Sequence, residues 1–374
     1  MGGLVIDCDS HVMEPADLWQ KYLEPEFRDR AIRIEKRDGI EHLIIGEQTV
    51  LAGVLAGLGG AHLSAQQLFT SLNSYADGCE PASYDPAARI KLLDSWGVDR
   101  GVLFPTIGIL PFPTKDMALA NAYCRAYNRW QTEFAQGANG RAIPIALINW
   151  HDRDEAAREL AHCIKRGFRG LFVPPEVIDD RRPSDPHYDA IWRQCEDAGI
   201  PGCLHVIVRF TAGAGSFGAW HMTRPGSVFT FGLGATGQMI PAMAAMTVDG
   251  LFDRFPKLKI VIGHTGEGLP FWLYRLDYMH TASVKAQRYE SQKPLKKKLS
   301  DYVRENIYVT NSGVAWEPSI MLCHKVLGPD HVLYAMDYPY QFVPEEVNIC
   351  DALPMSDADK KKFFQTNAEK LFKL

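Results

Sequence analysis

The sequence lacks the strong charge, the cysteine pattern and the long apolar runs that mark several classes of protein. Its 374 residues carry a formal net charge of −5, which gives no electrostatic reason to expect a nucleic-acid or membrane-surface partner. The longest nearly apolar stretch, residues 50–58, is too short to cross a bilayer. The eight cysteines stand singly without a CxxC pair, and no basic segment followed by an apolar one resembles a secretion signal. We therefore expect a cytoplasmic protein without disulfides.

Two catalytic signatures are also missing. No GxGxxG motif follows the first apolar run, which argues against a doubly wound, dinucleotide-binding sheet. No GxSxG motif is present, which argues against a serine hydrolase. In contrast, 46% of the residues are hydrophobic and 11% are aromatic, so the chain has ample material for a folded core.

Short apolar runs recur along the chain and alternate with amphipathic stretches. Residues 154–165 and 187–198, for example, have a helical pattern. Apolar strands that alternate with helices are typical of a parallel sheet covered by helices. Eight such units predict an α/β fold, a distorted (β/α)8 TIM barrel, in one domain of residues 1–374. The candidate strands are residues 4–6, 101–104, 143–148, 170–173, 202–207, 259–262, 307–309 and 332–334.

Two segments depart from this alternation. Residues 12–87 are long and loop-rich, and we interpret them as a subdomain inserted after strand one. Residues 210–250 are rich in Gly, Met and Phe and contain few charges. Because apolar segments of this kind cover active sites or subunit interfaces, we expect residues 210–250 to lie near the site.

Acidic and histidine side chains stand where four of the predicted strands end. Asp9 and His11 close the first strand, His205 lies in the fifth, His264 follows the sixth, and Asp337 follows the eighth. Active sites of this fold lie at the carboxyl ends of the strands. Burying unpaired carboxylates and imidazoles is costly, whereas a divalent metal takes both as ligands. Asp9 and His11 are two residues apart on an extended strand, so both face one side and suit coordination together with His205 and Asp337.

The sequence around these residues resembles the amidohydrolase superfamily, in particular its branch of decarboxylases related to aminocarboxymuconate semialdehyde decarboxylase. The opening segment, residues 5–15, is similar to the start of many members. The C-terminal third closely resembles the 5-carboxyvanillate decarboxylases, over residues 262–280, 310–318, 334–341 and 361–370. The first-strand motif Asp9-Ser10-His11 departs from that subgroup. The resemblance therefore extends to the fold and the metal site, and the exact substrate stays open.

The resemblance implies a metal centre and a proton donor. Asp9, His11, His205 and Asp337 match the positions of metal ligands. Asp337 also matches the residue that protonates the ring carbon of the substrate. His264 matches a histidine beside the metal that contacts the substrate or positions a proton. The mixed nitrogen and oxygen donors suit one divalent ion, either Zn or Mn.

Two further residues match substrate-binding positions of the same branch. Arg275 matches an arginine that reaches the substrate carboxylate across a dimer interface, and Tyr340 matches a tyrosine of the pocket. We therefore expect a homodimer or a higher homo-oligomer. The expected partner is a small aromatic carboxylate, with no nucleic acid and no membrane.

Together these features predict a metal-dependent, non-oxidative decarboxylase of a hydroxylated aromatic carboxylic acid, similar to 5-carboxyvanillate or a dihydroxybenzoate. Removing CO2 from an ortho-hydroxybenzoate requires a proton on the ring carbon that bears the carboxylate, and an acid held over that carbon can supply it. A bound metal can orient the ring through its phenolate and carboxylate oxygens.

Two alternatives remain at the level of the sequence. The first is a hydrolase of an amide, lactone or C–C bond on the same barrel, with a second metal held partly by Glu14. Glu14 equally suits a supporting or helix-capping role. The second is a non-catalytic scaffold, which the retention of all four strand-end ligands disfavours.

Overall fold

The computed structural model describes residues 3–60, 62–64, 67, 74–110, 112, 114–207, 227–290, 292 and 294–374. Within these ranges, eight parallel strands form a central barrel and three antiparallel strands form a separate sheet. The separate sheet consists of β2 (Arg33–Arg37), β3 (Ile40–Ile45) and β4 (Gln48–Ala52). The barrel strands are β1 (Ile6–His11), β5 (Arg100–Phe104), β6 (Ala142–Pro144), β7 (Leu171–Val173), β8 (Gly202–Leu204), β9 (Ile260–Ile262), β10 (Ile307–Thr310) and β11 (Val332–Leu333).

Backbone hydrogen bonds join the eight parallel strands into a closed barrel. One ladder links β1, β5 and β6, and a second links β7 through β11 in chain order. The N–H of Ala146 donates to Gly170 O (2.8 Å), which joins the ends of β6 and β7. The N–H of Cys8 donates to Tyr334 O (2.9 Å), which joins β1 to the end of β11. The predicted (β/α)8 barrel is therefore confirmed.

Several strands are shorter than the apolar runs that predict them. The run at residues 143–148 forms a strand only as far as Pro144, which has no N–H to donate to a ladder. The residues that follow it are buried loop at the carboxyl-terminal end of the barrel. An apolar run therefore marks burial, and only part of each run is paired as a strand.

Helices alternate with the barrel strands along the chain. The carboxylates of Asp85 and Asp152 accept hydrogen bonds from Ala88 N and Glu155 N, and these N-terminal caps fix where two helices begin. No helix in the described ranges is both long and apolar enough to span a membrane. The helices are Leu18–Tyr22, Val54–Leu58, Tyr75–Gly78, Pro86–Trp96, Met117–Gly137, Arg153–Lys165, Asp189–Ala198, Ser227–Val248, Leu251–Arg254, Leu269–Lys285, Leu299–Asn306, Glu317–Leu327, Glu346–Asp351, Asp357–Lys361 and Asn367–Phe372.

The insertion at residues 12–87 contains more regular structure than we expected. Strands β2, β3 and β4 pair in antiparallel order, and the β2–β3 hairpin turns at Asp38 and Gly39, which both have positive φ. An Asp-Gly pair between two runs is a strong hairpin signal, and it accounts for the turn between β2 and β3. The hydroxyl of Tyr123 donates to Arg30 O (2.6 Å), which fastens the insertion to helix Met117–Gly137.

Only part of the apolar insertion at 210–250 can be compared with its prediction. Residues 208–226 lie outside the described residues, and helix Ser227–Val248 follows them. This helix buries Met239, Met243 and Met246 in the core. The N–H of Ile207 donates to Gln238 Oε1 (3.4 Å), and the helix contacts the turn after β9. The described part of this insertion therefore lies beside the ends of β8 and β9.

Candidate metal centre and active site

The five strand-end residues singled out in the sequence meet at one end of the barrel. Asp9 and His11 end β1, His205 follows β8, His264 follows β9, and Asp337 follows β11. In the described ranges, two groups of side chains have ligating atoms within 4.8 Å of one another. Asp9, His11 and His205 form the first group, and Asp9, His264 and Asp337 form the second. Asp9 belongs to both groups and connects them.

The ligating atoms of the first group converge closely. The Nε2 atoms of His11 and His205 lie 3.2 Å apart. Asp9 Oδ1 lies 3.8 Å from His11 Nε2 and 3.9 Å from His205 Nε2. Asp337 Oδ1 is 3.7 Å from His11 Nε2. All four side chains are largely or fully buried, so water is excluded from most of this cluster.

Hydrogen bonds fix both imidazoles so that a lone pair points into the cluster. The Nδ1 of His11 contacts Pro105 O (2.8 Å) and that of His205 contacts Val206 O (2.8 Å). Since a carbonyl only accepts, each Nδ1 carries the proton and each Nε2 is an acceptor. Burial lowers the pKa of His11 and of His205 to about 4, and the charge of a neighbouring histidine adds to the effect in each case, so both rings are neutral at pH 7.

These atoms fit a divalent cation. Two acceptor nitrogens 3.2 Å apart repel each other unless a positive charge lies between them. Asp9 Oδ1 is buried beside them and has no hydrogen-bond partner among the residues that the structure describes. Burial and the charge of Asp337 raise the pKa of Asp9, a cost that a bound cation removes. Neutral imidazole and carboxylate donors suit Zn, Mn and Fe alike.

A close packing contact holds Asp9 in place. Its Oδ2 accepts a hydrogen bond from Ser312 Oγ (2.7 Å). A Cβ at Gly263 would lie 2.8 Å from the same oxygen and 3.1 Å from Ser312 Oγ. Position 263 therefore requires glycine, because any side chain there would displace the carboxylate. This glycine, which lies in the segment 262–280 that resembles the family, thus has a physical role.

A left-handed turn after β9 carries His264. Residues 264–268 all have positive φ, between 52° and 85°, although three of them are not glycine. The turn brings Glu267 Oε1 to 2.6 Å from His264 Nδ1, while His264 Nε2 lies 3.6 Å from Asp337 Oδ2. Asp337, His264 and Glu267 thus form a chain of ionisable groups that leads away from the cluster. Strain of this kind is kept where a function depends on it.

His264 and Asp337 shift each other's pKa in opposite directions. Burial alone would lower the pKa of His264, but contacts with Asp337 and Glu267 outweigh it and raise this pKa well above its ordinary value. Burial alone would raise the pKa of Asp337, but the hydrogen bond and charge of His264 lower it. The pair therefore holds one proton near neutral pH, within reach of the predicted metal ligands. Glu267 was missed in the sequence, although its i, i+3 spacing from His264 was visible.

Backbone N–H groups engage both carboxylate oxygens of Glu14. Its Oε1 accepts from the N–H groups of Thr106 (3.1 Å) and Gly108 (2.9 Å), and its Oε2 accepts from that of Ile107 (2.7 Å). Glu14 is fully buried and belongs to neither group of converging ligand atoms in the described ranges. Its role is to hold the loop after β5, so the interpretation of Glu14 as a metal ligand is not supported.

The two predicted substrate-binding residues occupy different places. The ring of Tyr340 packs edge-on against that of His11, with centroids 4.8 Å apart, so Tyr340 borders the cluster. Burial raises the pKa of Tyr340, which keeps its hydroxyl neutral. Arg275 instead lies on the exposed side of helix Leu269–Lys285.

A buried arginine that the sequence analysis did not identify supports the ends of β1 and β11. Arg89 is 1% exposed. Its guanidinium donates to Ser10 Oγ (2.7 Å) and to His11 O (2.6 Å), and it stacks 4.7 Å from the ring centre of Tyr338. Arg89 therefore ties the backbone of a predicted ligand to the residue that follows Asp337. Only its position in helix Pro86–Trp96 was visible in the sequence.

Glu346 carries a further buried carboxyl group, outside the cluster of predicted metal ligands. Glu346 accepts a hydrogen bond from Asn311 Nδ2 (3.0 Å). Burial, and then the charge of Asp7, raise the pKa of Glu346 from 4.5 to about 8. Above its ordinary pKa of 4.5, this carboxyl group loses its proton in the unfolded chain, whereas the native state keeps the proton up to about pH 8. The free energy of unfolding falls as the pH rises from about 5 to about 8.

We expect Glu346→Gln to remove this dependence on pH. Between pH 5 and pH 8 the wild type should lose about 2–4 kcal/mol more stability than the variant, because glutamine cannot ionise. Urea unfolding at both pH values measures the difference. The neighbouring Glu345 is exposed, so Glu345→Gln should keep the wild-type slope. Equal slopes for all three proteins would contradict the raised pKa.

Comparison with known proteins identifies decarboxylases that are similar to this chain. Gamma-resorcylate decarboxylases from Polaromonas and from Rhodococcus jostii are each 29% identical to this chain, over 76% of it and 86% and 87% of their own lengths. The 5-carboxyvanillate decarboxylase of Novosphingobium aromaticivorans was solved with manganese and 4-hydroxy-3-methoxy-5-nitrobenzoic acid. It has 32% identity and a TM-score of 0.73, and the match covers 100% of this chain and 97% of that one.

A more distant structure shares the fold. The dihydroxybenzoic acid decarboxylase of Polaromonas has 22% identity and a TM-score of 0.69, with 100% of this chain and 97% of that chain covered. The family profile described as Amidohydrolase matches residues 6–374, which is nearly the whole sequence. Barrel, strand-end cluster and family profile thus agree, and the chain belongs to the amidohydrolase family.

Proposed function

We propose that this chain is a metal-dependent, non-oxidative carboxy-lyase that removes CO2 from the ring of an ortho-hydroxylated benzoate. The observation that carries the proposal is the meeting of two sets of atoms in one buried site. One set is the convergence of His11 Nε2, His205 Nε2 and the unpartnered Asp9 Oδ1. The other is the pair of His264 and Asp337 beside them, whose Nε2 and Oδ2 atoms lie 3.6 Å apart.

Asp9, His11, His205 and Asp337 would hold the ion. A divalent cation there supplies charge that orients and stabilises the carboxylate and phenolate oxygens of the substrate. We propose manganese rather than zinc, since the 32% identical carboxyvanillate enzyme was solved with manganese. We propose one ion per chain, because both oxygens of Glu14 are engaged by backbone N–H groups.

The chain's own residues supply the proton. His264 passes it from Nε2 to Asp337 Oδ2 (3.6 Å), and Asp337 delivers it to the ring carbon that bears the carboxylate. A new C–H bond forms, the bond between ring and carboxylate breaks, and its electron pair restores the aromatic ring as CO2 leaves. No oxidant takes part. Glu267, on Nδ1 of His264, keeps that imidazole oriented and protonated.

Hydrolysis on the same barrel is the alternative. In that reaction Asp337 or His264 would act as a base toward water. The comparisons favour decarboxylation, since the gamma-resorcylate and 5-carboxyvanillate enzymes that this chain resembles are decarboxylases. Release of CO2 from 2,6-dihydroxybenzoate or 5-carboxyvanillate by manganese-loaded protein tests the choice. Hydrolysis of an ester or lactone without CO2 release from any ortho-hydroxybenzoate would support the alternative.

We further propose that Arg275 acts across a homodimer interface. Helix Leu269–Lys285 exposes an unusual number of large apolar side chains, which indicates a covered face. A second copy of the chain would bury this face and bring Arg275 toward the partner's substrate. The exposed apolar residues of the helix are Phe271, Trp272, Tyr274, Tyr278 and Met279.

The eight cysteines are unpaired and buried, which supports a reducing cytoplasmic location.

We expect Arg275→Ala to raise KM more than it lowers kcat. Loss of a charged contact to the substrate carboxylate should raise KM about 10- to 100-fold. Steady-state kinetics measure the split, and sedimentation velocity reports whether the protein is a dimer. Arg37→Ala, on the separate sheet, is the matched control. A monomeric wild type, or an unchanged KM in the Arg275 variant, would refute this role.

A further inference from the structure

A pocket lined by lysines lies at the amino-terminal end of the barrel, opposite the metal centre. Pro201, directly before β8, and Lys259, directly before β9, belong to its lining. His264 follows Lys259 by five residues, so about 16 Å of extended chain leads from this pocket to the other end of the barrel. The volume of this basal pocket is about 170 Å³, and a single water requires roughly 10–15 Å³ on the same measure. The basal pocket can therefore hold one substituted ring.

The inner wall of the basal pocket is apolar and uncharged. The ring of Tyr308 packs against that of His331, with centroids 4.6 Å apart. Burial raises the pKa of Tyr308, so its hydroxyl stays neutral. Burial lowers the pKa of His331, and the charges of Lys259 and Lys370 lower it further, so this imidazole is neutral at pH 7 as well. The buried residues of the inner wall are Cys195, Ile200, Pro201, Tyr308 and Leu371.

Three lysines complete the lining. Lys257 and Lys370 are exposed, and within the described ranges their ammonium groups take part in no hydrogen bond or ion pair. Lys259 is partly buried, and its Nζ donates to Glu305 O (2.7 Å). Burial lowers the pKa of Lys259, and the charge of Lys370 lowers it further, against the opposing charge of Glu305. The ammonium groups therefore repel one another, and an anion bound among them would relieve that repulsion.

The carboxylates near the basal pocket are engaged by other groups. Glu196 accepts a hydrogen bond from a backbone N–H of the lining (2.8 Å). Glu305 pairs with Lys297, and Asp330 pairs with Lys362 (3.0 Å). In the part of the chain that the structure describes, the lining itself contains no acidic residue. The basal pocket therefore combines an excess of positive charge with an apolar wall.

We propose that the basal pocket binds a small organic dianion, such as a dicarboxylate on a single ring. Its two charged groups contact the lysines, and its apolar body packs against the inner wall. An inorganic anion would use the lysines alone and leave the apolar wall in contact with water. The inference goes beyond the proposed function and does not depend on it, because none of the three lysines is a predicted metal ligand or proton donor.

Calorimetric titration of the manganese-loaded protein with phthalate (benzene-1,2-dicarboxylate) tests the site. We expect saturable binding with a Kd of about 0.1–1 mM, as suits a few charged contacts that are partly exposed to water. Inorganic phosphate, which has no apolar body, should bind about 10-fold more weakly or worse. Because phthalate also has oxygens that a metal can bind, the titration is repeated with His205→Ala, in which binding at the basal pocket should persist.

Removing one ammonium group at a time should weaken phthalate binding. We expect Lys259→Met and Lys370→Met each to raise the Kd by about 5- to 20-fold, since each variant loses one charged contact and keeps an apolar stem. Lys370 is exposed, so its replacement leaves the fold intact even if that of the partly buried Lys259 does not. Lys91→Met, an exposed change on helix Pro86–Trp96, is the matched control and should bind phthalate like the wild type.

Saturable binding that Lys259→Met and Lys370→Met weaken and that His205→Ala retains would support the site. The absence of saturable binding up to about 10 mM phthalate, or equal affinity in Lys370→Met and wild type, would overturn it. Loss of binding in His205→Ala would place phthalate at the metal centre and overturn the proposal as well. Equal affinity for inorganic phosphate would contradict an organic ligand. None of these measurements uses CO2 release, so failure of the decarboxylase assignment would leave their outcome unchanged.

Discussion

Replacing Asp337 by Asn is expected to lower kcat for CO2 release by about 10²–10⁴-fold while the protein stays folded, because general acid catalysis contributes that much. Asp337 ends the chain of ionisable groups that runs through His264 to Glu267, and its other oxygen lies 3.7 Å from His11 Nε2. An amide has the same shape as the carboxyl group, but it has no proton of suitable acidity to give to the ring carbon.

Two controls separate loss of the proton donor from loss of the metal or of the fold. At saturating Mn²⁺, the manganese content of Asp337→Asn should stay close to that of the wild type, since Asp9, His11 and His205 remain in place and the amide oxygen of Asn can still act as a ligand. Asp154→Asn changes an exposed carboxylate at the start of a helix and should keep full activity. Near-normal turnover in Asp337→Asn would refute the proton-donor role. If Asp337→Asn loses both its manganese and its turnover, the result supports a role of Asp337 as a metal ligand and does not support its role as the proton donor.

Replacing His205 by Ala is expected to weaken manganese binding by more than about 100-fold, a loss at least as large as that seen when supporting residues around a metal are removed. His205 supplies one of the two neutral Nε2 acceptors, and Asp9 Oδ1 has no other partner in the described structure. Activity should then depend on added manganese. Titration of metal-free protein with Mn²⁺, followed by calorimetry, measures the affinity directly.

His162→Ala is the matched control for this experiment. His162 is 63% exposed on helix Arg153–Lys165, so its removal should leave metal binding unchanged. The metal-free forms of wild type and His205→Ala should have similar melting temperatures, which shows that the fold persists. Equal manganese affinity in wild type and His205→Ala would remove His205 from the ligand set and contradict the site.

The sequence predicted the barrel and its strand-end residues because both follow from local patterns. A run such as residues 260–262 is apolar because both faces of a barrel strand are buried, and a polar residue soon after it must lie at the carboxyl-terminal end. His264 and Asp337 could therefore be placed in one site although 73 residues separate them. The family resemblance then assigned expected roles to these positions.

Other features depend on contacts that the sequence does not display. Glu14 was open to a metal role because its partners are backbone N–H groups of residues 106–108, which no side-chain pattern reveals. Glu267 reaches His264 only because the turn after β9 is left-handed. Arg89 could not be linked to the site, since its partners are a hydroxyl, two carbonyls and a ring rather than a carboxylate.

The most direct test of the account is metal analysis of the purified protein combined with an assay for CO2 release from 2,6-dihydroxybenzoate and 5-carboxyvanillate. We predict about one manganese per chain at saturation, because one cluster of free acceptors is present in the described residues. Chelation should abolish CO2 release from whichever compound reacts, and added Mn²⁺ should restore it. Two metals per chain, with no CO2 from either compound or from other ortho-hydroxybenzoates, would contradict the decarboxylase assignment.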